Sequence, residues 1–354
     1  MASGLLSLNK NAKREPLRFG EDGKFRILQL TDIHMADPEM DDEEDRSIPQ
    51  KKLEETMNVI TTCIERAKPD LVVLTGDIVN GYWEELTYGY VAKIIERIVA
   101  PIKEKNIPLA VAFGNHDSEL NFHREIQMCM YLDYENCRAS LNAEEMHGCG
   151  TYNLTIKSSK SDKDAFNIWM FDSNDYPRDE NGDRIREGGY DYVHPDQIAW
   201  YERTSKKLKE QNGGEPLPSI LFQHIPVQQE YDLIESSETE FDGEYVGFCD
   251  SDGRYHRLTS CISGRLREFP CPPKDGHREQ FDSWKKMGDI VAAYFGHDHT
   301  NDFIIDVDGI LLCQTIGAGY WSYGNERGGR LIVLDENDPK NIYTETIEVE
   351  KLYK

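Results

Sequence analysis

No stretch of this sequence approaches the ~20 consecutive apolar residues that a helix needs to cross a bilayer. Residues 1–18 contain only the short apolar stretch Gly4-Leu5-Leu6 and lack the ~7–15 residue apolar core of a secretory signal peptide. We therefore expect no membrane-spanning segment and favour a cytoplasmic protein. Secretion stays open for a chain from which a leader has been removed.

Positive charge is in short supply relative to negative charge. The chain has 40 Lys and Arg against 65 Asp and Glu, which gives a formal net charge of −25 at pH 7. A surface this acidic repels the phosphate backbone of nucleic acids and the headgroups of anionic membranes. We expect neither nucleic acid nor a membrane among the partners of this protein.

The eight cysteines include no Cys-x-x-Cys pair, so they give no support to a zinc ribbon or a thioredoxin-like motif. Without an export signal we expect mostly reduced thiols, because disulfides are rare in the cytosol. The even number and the proximity of Cys249, Cys261 and Cys271 leave disulfides open. The chain also lacks Gly-x-Ser-x-Gly, a Gly-rich Lys-Ser/Thr loop and His-Glu-x-x-His, which argues against serine hydrolases, P-loop proteins and zinc proteases.

The residues that are present favour an α/β fold. Hydrophobic residues make up 38% of the 354 positions, which is enough for a sizeable core and excludes wholesale disorder. Strand-like segments at 25–31, 71–75 and 109–113 alternate with two helical stripes, 53–67 and 91–102, in which apolar residues recur every three or four positions. This β-α-β-α-β order predicts a parallel sheet with right-handed crossovers.

The second half of the chain continues the alternation with one interruption. Further strands are predicted at 151–156, 165–172, 219–222, 290–295, 303–307, 310–314, 331–334 and 342–349, and a further helix at 194–211. Asp308-Gly309 is a strong hairpin signal between two of these strands. Residues 227–284 show no clear periodicity, and we predict here an insertion over the surface that is a candidate lid.

Metal-capable side chains directly follow five of the predicted strands. The segments are Asp32-Ile33-His34, Gly76-Asp77, Gly114-Asn115-His116-Asp117, His224 and Gly296-His297-Asp298-His299. In α/β sheets ligands bind beyond the carboxyl ends of the strands, so these clusters can converge. The glycines fit backbone turns too tight for a Cβ beside a metal. Alone, each segment would more often be an ordinary turn or cap, but their joint occurrence at strand ends predicts a site.

The converging segments supply seven nitrogen and oxygen donors and no thiolate: Asp32, His34, Asp77, Asn115, His224, His297 and His299. This donor set suits hard to borderline ions such as Fe, Mn or Zn. Seven donors are too many for one tetrahedral site, but if Asp77 bridges, each of two ions receives four protein contacts. A two-metal centre lowers the pKa of a water and clamps the attacking and leaving oxygens of an in-line displacement.

The segments LTDIHMAD, VVLTGDIVNG, VAFGNHDSE, LFQHIP and YFGHDHTND resemble the calcineurin-like metallophosphoesterase superfamily. PLRFGEDGKFRILQLTDIH and HPDQIAWYERTS are more closely similar to the small purple-acid-phosphatase-like phosphoesterases of plants and fungi. The resemblance covers about residues 23–350, which it identifies as a single catalytic domain after an N-terminal extension, residues 1–22. It implies a four-layer sandwich, in which two mixed β-sheets are flanked by helices.

The same resemblance implies roles for the converging residues. The first of two divalent or trivalent metal ions would be held by Asp32, His34, Asp77 and His299, and the second by Asp77, Asn115, His224 and His297. A metal-bound hydroxide would attack phosphorus, and His116 would stabilise the transition state and protonate the leaving oxygen. A cationic imidazole held by a carboxylate is suited to act as a general acid, and the resemblance assigns Asp117 to orient this ring. Asp298, between two ligand histidines, is expected to be structural.

The expected reaction is metal-dependent hydrolysis of a phosphoester, and we favour a phosphomonoester. The acidic surface disfavours long polyanions, whereas a phosphorylated small molecule or phosphoprotein can reach the locally positive metals. One alternative is a phosphodiesterase that acts on a cyclic nucleotide or another small diester. A second alternative is a non-catalytic metal-binding homologue, against which the complete donor set together with His116 weighs.

Purple acid phosphatases carry a tyrosine three residues after the bridging aspartate, and its charge transfer to Fe(III) gives their colour. This chain has Asn80 at that position, and His34 where those enzymes have glycine. We therefore predict that the purified, metal-loaded protein shows no tyrosinate-to-iron absorption band in the visible spectrum. A band near the purple absorption that survives substitution of Asn80 would contradict this prediction.

Overall fold

The computed structural model describes residues 14–353, apart from residues 42, 82–85, 121, 188 and 274–275. The strands are, in chain order, β1 (Leu17–Arg18), β2 (Lys24–Leu30), β3 (Leu71–Thr75), β4 (Leu109–Ala112), β5 (Tyr152–Lys157), β6 (Asp164–Met170), β7 (Ser219–Phe222), β8 (Ile234–Ser237), β9 (Gly247–Cys249), β10 (Tyr255–Leu258), β11 (Ile290–Phe295), β12 (Ile304–Val307), β13 (Ile310–Gln314), β14 (Gly328–Asp335) and β15 (Tyr343–Glu348). The α-helices are α1 (Ser47–Ala67), α2 (Tyr88–Glu104), α3 (Arg124–Leu132), α4 (Pro195–Gln211) and α5 (Glu279–Met287).

The first half of the chain forms most of a five-stranded sheet with the order β15-β14-β2-β3-β4. The strands β2, β3 and β4 are parallel, and α1 and α2 connect them, so the predicted β-α-β-α-β unit is confirmed. The strands β14 and β15 add antiparallel pairs at the other edge, which makes the sheet mixed. The carboxyl ends of the three parallel strands therefore lie at one edge, where the metal-capable segments begin.

A second, seven-stranded sheet has the order β1-β5-β6-β7-β11-β13-β12 and is also mixed. Its central strands β6, β7, β11 and β13 are parallel. The antiparallel pair β12–β13 turns at Asp308 and Gly309, with φ of 53° and 84°. Two central residues with positive φ are the requirement of a type I′ turn, so the predicted hairpin is confirmed.

The two sheets pack against each other between two layers of helices. One buried cluster joins residues of both sheets and of α1 and α2, and a second joins the seven-stranded sheet to α4 and α5 around Trp169, Trp200 and Trp284. This arrangement confirms the predicted four-layer α/β sandwich. No helix in the described part of the chain has the length and the apolar character that crossing a bilayer requires.

The segment 227–284 contains more regular structure than the sequence indicates. The strands β8, β10 and β9 form a small antiparallel sheet, and α5 begins at Glu279. These strands have three or four residues, which is too short for an alternating pattern to be recognised. The turn between β9 and β10 does carry a signal, because Asp250 Oδ1 accepts the N–H groups of Asp252 and Arg254, and Gly253 has φ of 82°.

The seven-stranded sheet begins before the predicted domain start at residue 23. Strand β1 pairs in parallel with β5, and Leu17 and Phe19 belong to the buried core. Two residues of pairing are too few to show a period in the sequence. The first thirteen residues of the predicted extension lie outside the described residues, so the extension itself stays a prediction.

The Arg330 side chain is a buried link between the two sheets. It lies on β14, is 1% exposed, and its Nη2 donates to the backbone oxygens of Asp302 (2.9 Å) and Gln314 (2.6 Å). Its Nε donates to Thr315 Oγ1 at 3.0 Å. The guanidinium therefore satisfies acceptors beside the second sheet that would otherwise be buried without donors.

We predict that Arg330→Met lowers the free energy of unfolding by about 3 kcal/mol, since it keeps most of the volume but leaves two buried carbonyls unpaired. The measurement is urea unfolding followed by circular dichroism. Arg257→Met, which removes a pair with the half-exposed Glu235, is the matched control and should cost under about 1 kcal/mol. Equal midpoints for Arg330→Met and the unsubstituted protein would show that dehydrating this guanidinium offsets its hydrogen bonds.

Candidate metal centre

The structure brings all seven predicted donor side chains to one edge of the sandwich. Asp32 and His34 follow β2, Asp77 follows β3, Asn115 follows β4, His224 follows β7, and His297 and His299 follow β11. Each of them is at most 8% exposed. The five-stranded sheet thus contributes four donors and the seven-stranded sheet three, so the centre lies where the two sheets meet.

The backbone at this edge is strained. Asp32, His34, Asp77 and His297 have φ of 50°, 42°, 52° and 73°, in the left-handed region that residues other than glycine rarely adopt. Such conformations cost on the order of 1–3 kcal/mol each and persist only where the surrounding structure enforces them. Their concentration at four of the seven donors is what a site that aims side chains at a shared target requires.

Two glycines give the loops the room to approach each other. Gly76 has φ of 90°, and a Cβ there would lie 2.7 Å from His224 Nδ1 and still closer to the backbone of Gly114. A Cβ at Gly114 would collide with the Asp77 carboxylate. These contacts agree with the expectation that glycines at 76 and 114 make turns too tight for a side chain beside the donors.

The first cluster of donors consists of Asp32, His34, Asp77 and His299, whose ligand atoms all lie within 4.8 Å of one another. Asp32 Oδ1 lies 3.2 Å from His299 Nε2, and Asp77 Oδ2 lies 3.6 Å from His34 Nε2. The other Asp32 oxygen accepts hydrogen bonds from Thr31 Oγ1 at 2.7 Å and from the His297 backbone N–H at 3.0 Å. One oxygen of this carboxylate is thereby fixed by donors while the other faces the cluster.

The second cluster consists of Asp77, His224 and His297, again with ligand atoms within 4.8 Å of one another. His224 Nε2 lies 3.2 Å from Asp77 Oδ2 and 3.2 Å from Asn115 Oδ1, which adds the amide oxygen to the group. His224 Nδ1 donates to the Thr75 backbone oxygen at 2.7 Å. This hydrogen bond fixes the tautomer of the His224 ring. Asp77 is common to both clusters.

The donor atoms are arranged as a cation site would arrange them. Asp32 Oδ1 and Asp77 Oδ2 are buried, accept no hydrogen bond of ordinary geometry from the described residues, and instead face imidazole nitrogens. His297 Nε2 is likewise buried without a hydrogen-bond partner among those residues. Unpaired buried carboxylate oxygens are costly unless a cation compensates them, so the residues present fit two metal ions that share Asp77.

Burial also sets the charge of two of the rings. It lowers the pKa of His34 to about 4 and that of His297 to about 3, so both rings are neutral at pH 7. A neutral imidazole is the form that ligates a metal. For Asp77, burial raises the pKa, but His224 and His116 outweigh it and hold the pKa well below its ordinary value. The carboxylate is therefore ionised and ready to bridge.

His116 lies beside the first cluster, with its ring centroid 5.2 Å from that of His34. Its backbone N–H donates to Asp77 Oδ1 at 2.8 Å, and its Nδ1 lies 2.7 Å from Glu119 Oε2. Burial lowers the pKa of His116, but the carboxylates of Asp77 and Glu119 outweigh it and raise the pKa to about 9. The ring is therefore a cation at neutral pH in this arrangement.

The His116 ring contacts the carboxylate of Glu119, whereas the resemblance assigned Asp117 to orient this ring. Residues 116–119 form a 3₁₀ turn, in which side chains three positions apart lie on the same face and adjacent ones diverge. The three-residue spacing was the signal in the sequence that could have identified Glu119.

Asp117 instead holds the loops that carry the donors. Its Oδ2 accepts the backbone N–H groups of Asp77 and Gly114 at 2.8 Å, and its Oδ1 accepts that of Ile78 at 3.1 Å. Burial and the nearby Asp77 carboxylate raise the pKa of Asp117 to about 6, although the hydrogen bonds from the backbone N–H groups act to lower this pKa. The residue acts on the geometry of the β3 and β4 loops rather than on the His116 ring.

Asp298 faces away from the donors, as expected for a structural residue. Its Oδ1 accepts the Cys271 backbone N–H at 3.2 Å, and its Oδ2 accepts Gln314 Nε2 at 3.1 Å.

The aromatic residue Tyr323 stacks on the His299 ring at 4.2 Å, and its hydroxyl donates to Glu268 at 2.7 Å. The contact of Tyr323 with His299 and that of its hydroxyl with Glu268 were not predicted from the sequence.

Comparisons with known proteins agree with this geometry. A sequence model described as calcineurin-like phosphoesterase matches residues 25–301. "Probable inactive purple acid phosphatase 14" of Arabidopsis thaliana is 30% identical over 93% of this chain and 79% of its own length. "Phosphatase DCR2" of Saccharomyces cerevisiae is 27% identical over 92% of this chain and 54% of its own length. A dimetal phosphatase structure from Danio rerio is 13% identical, with a TM-score of 0.55 over 92% of this chain and 99% of its own, which shows a shared fold.

We predict that Asp77→Asn and Asp117→Asn lower metal affinity at least tenfold, whereas His116→Asn and Glu119→Gln keep it within about threefold. Asp77→Asn loses the charge shared by both clusters. Asp117→Asn turns an amide NH₂ toward backbone N–H groups and separates the loops. The measurement is metal content per chain after dialysis against Mn²⁺ or Zn²⁺, together with a calorimetric titration. Equal metal loss in all four variants would contradict this division of roles.

Proposed function

This chain belongs to the calcineurin-like phosphoesterase family, and on that premise we propose that it hydrolyses phosphomonoesters at the centre formed by its seven donors. The observation that carries the proposal is the sharing of Asp77 between two donor clusters with His116 at their edge. The Arabidopsis relative is named inactive, so the proposal rests on the residues of this chain and not on that name.

The ligand assignment follows the two clusters. Asp32, His34, Asp77 and His299 would hold one ion, and Asp77, Asn115, His224 and His297 the other. When bound, such a pair of ions supplies Lewis acidity, which lowers the pKa of a water and polarises the phosphoryl oxygens. The protein contributes fixed donors, since strand ends, strained loops and the Asp117 hydrogen bonds leave them little freedom. Reconstitution with Fe, Mn or Zn identifies which metal supports hydrolysis.

His116 is the residue that we assign to the leaving group. Its Nδ1 is engaged by Glu119 at 2.7 Å, so a proton given to the departing oxygen comes from Nε2. The carboxylate of Glu119 orients the ring and stabilises its charged form, which also offsets the negative charge that develops on the phosphoryl oxygens. His116 and Glu119 thus act as a pair, with Glu119 in the positioning role first expected of Asp117.

Charge favours a small monoester over a long polyanion as the substrate. The net charge of −25 repels an extended nucleic acid, whereas a compact phosphate is screened from distant surface charge beyond ~8 Å at physiological salt. A phosphorylated small molecule or a phosphorylated side chain of a protein meets this condition. The name of the yeast relative, a phosphatase, points to the same class of reaction.

The test is hydrolysis of 4-nitrophenyl phosphate beside bis(4-nitrophenyl) phosphate by protein reconstituted with Mn, Fe or Zn. We expect kcat/KM to be at least tenfold higher for the monoester. His116→Asn should lower kcat by roughly 10²–10⁴-fold with both ions retained, because it removes general acid catalysis. His147→Asn, which breaks a histidine–carboxylate pair with Asp196 at the start of α4, is the matched control and should keep wild-type rates.

Two results would overturn the proposal. A preference for the diester would make the protein a phosphodiesterase, and cyclic nucleotides would then be the next substrates to test. The absence of turnover with two bound ions of any of the three metals would make it a non-catalytic metal-binding homologue.

A further inference from the structure

A loop of residues 176–187 and 189–191, here the rim loop, lies against the metal centre. The rings of Tyr190 and His297 form a T-shaped pair, with centroids 4.3 Å apart and planes at 88°. Tyr176 lies beside Tyr190, with centroids 5.2 Å apart and planes at 32°. Tyr190 is partly exposed beside a ligand of the second cluster, and Tyr176, which is 9% exposed, packs against it; the two rings together are here the aromatic wall.

Asp175 anchors the rim loop to the body of the protein. Arg184 Nε and Arg178 Nη2 both donate to Asp175 Oδ2, at 2.9 and 2.8 Å. Asp175 Oδ2 also accepts the hydroxyl of Ser118, from the turn that carries His116, at 2.6 Å. The loop is therefore held at a defined distance from the catalytic side of the centre.

Arg186 is an exposed cation of this loop that contacts the carboxylate beside His116. Its Nη2 donates to Glu119 Oε1 at 2.7 Å, and its guanidinium lies 5.0 Å from the centroid of the Tyr176 ring. The side chain is 59% exposed, so much of a group with five N–H donors faces solvent. Arg186 is thus bound to the same carboxylate that holds His116.

The position of Arg186 relates it to the leaving group rather than to the phosphoryl group. His116 is assigned to the departing oxygen, and Glu119 binds His116 through Oε2 and Arg186 through Oε1, so one carboxylate joins Arg186 to the leaving-group side of the centre. A leaving group that extends beyond His116 would therefore contact the guanidinium of Arg186 and the aromatic wall. Guanidinium groups bind carboxylates and phosphates through paired N–H donors, and phenol rings pack against planar groups.

We propose that Arg186, Tyr176 and Tyr190 form a leaving-group subsite, which selects phosphomonoesters whose leaving group is a planar ring bearing a second anionic group. This inference rests on the proposed phosphomonoesterase function. Arg186 keeps N–H donors for a ligand, since it is Nη2 that donates to Glu119 and the side chain is 59% exposed. Although the net charge of the chain is −25, the guanidinium of Arg186 attracts an anion locally.

The experiment compares 4-carboxyphenyl phosphate with 4-carbamoylphenyl phosphate, which has the same shape without the charge. We expect wild-type kcat/KM to be about tenfold higher for the carboxylate, the effect of one charge-assisted hydrogen bond. In Arg186→Gln the ratio of the two kcat/KM values should fall to about one. Arg178→Gln removes the same charge from the same loop at the Asp175 anchor, and it should keep the wild-type ratio.

General damage to the centre lowers kcat/KM for both esters, whereas lost recognition lowers that of the carboxylate selectively. A wild-type ratio near one would overturn the subsite. An Arg186→Gln variant that loses equal activity on both esters would also overturn it, since Arg186 would then act on the phosphoryl group or on Glu119.

A binding measurement keeps this inference distinguishable from the proposed function. The metal-loaded protein is titrated calorimetrically with 4-carboxyphenylphosphonate and with its carbamoyl counterpart, neither of which contains a cleavable ester. Tighter binding of the carboxylate by about tenfold, lost in Arg186→Gln, supports the subsite even if no ester is hydrolysed and the proposed function fails. Equal affinities together with normal hydrolysis refute the subsite and leave the proposed function standing.

Discussion

Two carboxylates buried among histidine rings impose the constraint on which this structure depends. Asp32 and Asp77 are at most 1% exposed, and each directs one oxygen toward imidazole nitrogens. Ionised carboxylates are costly in such surroundings unless a cation compensates them. The left-handed backbone at four donors and the glycines without room for a Cβ add further cost. Together these features fit a centre that holds metal ions, whose positive charge would offset part of this cost.

The position of the centre makes it dependent on the packing of the sandwich. Four donors come from the five-stranded sheet and three from the seven-stranded sheet, so a small shift of one sheet would separate the two sets. Buried polar links keep the sheets in register: Gln29 Nε2 donates to the Phe295 backbone oxygen at 3.1 Å, and Arg330 binds the carbonyl of Gln314. Polar groups at an otherwise apolar interface thus fix one alignment where apolar packing alone would tolerate several.

The metal donors and the surrounding rim differ in how they are built. The donors stand on loops directly after core strands, where neighbouring strands fix each backbone, and all seven lie within the residues that the family model matches. His116, Glu119 and Arg186 form a chain of contacts that reaches from the centre into the rim loop. Rigid strand ends suit chemistry that is common to a family, and loops suit recognition that differs among its members.

The sequence by itself determined the fold class, the five donor-bearing segments and the hairpin at Asp308-Gly309. Each of these is local, because strand periodicity, turn chemistry and residues adjacent to a strand end can be read along the chain. The 3₁₀ turn, a local element, directs Glu119 to the His116 ring and Asp117 to the backbone. Tertiary structure decided the small sheet within 227–284 and the contact of Arg186 with Glu119. Strands of three residues show no period, and contacts between distant segments depend on packing that no local pattern encodes.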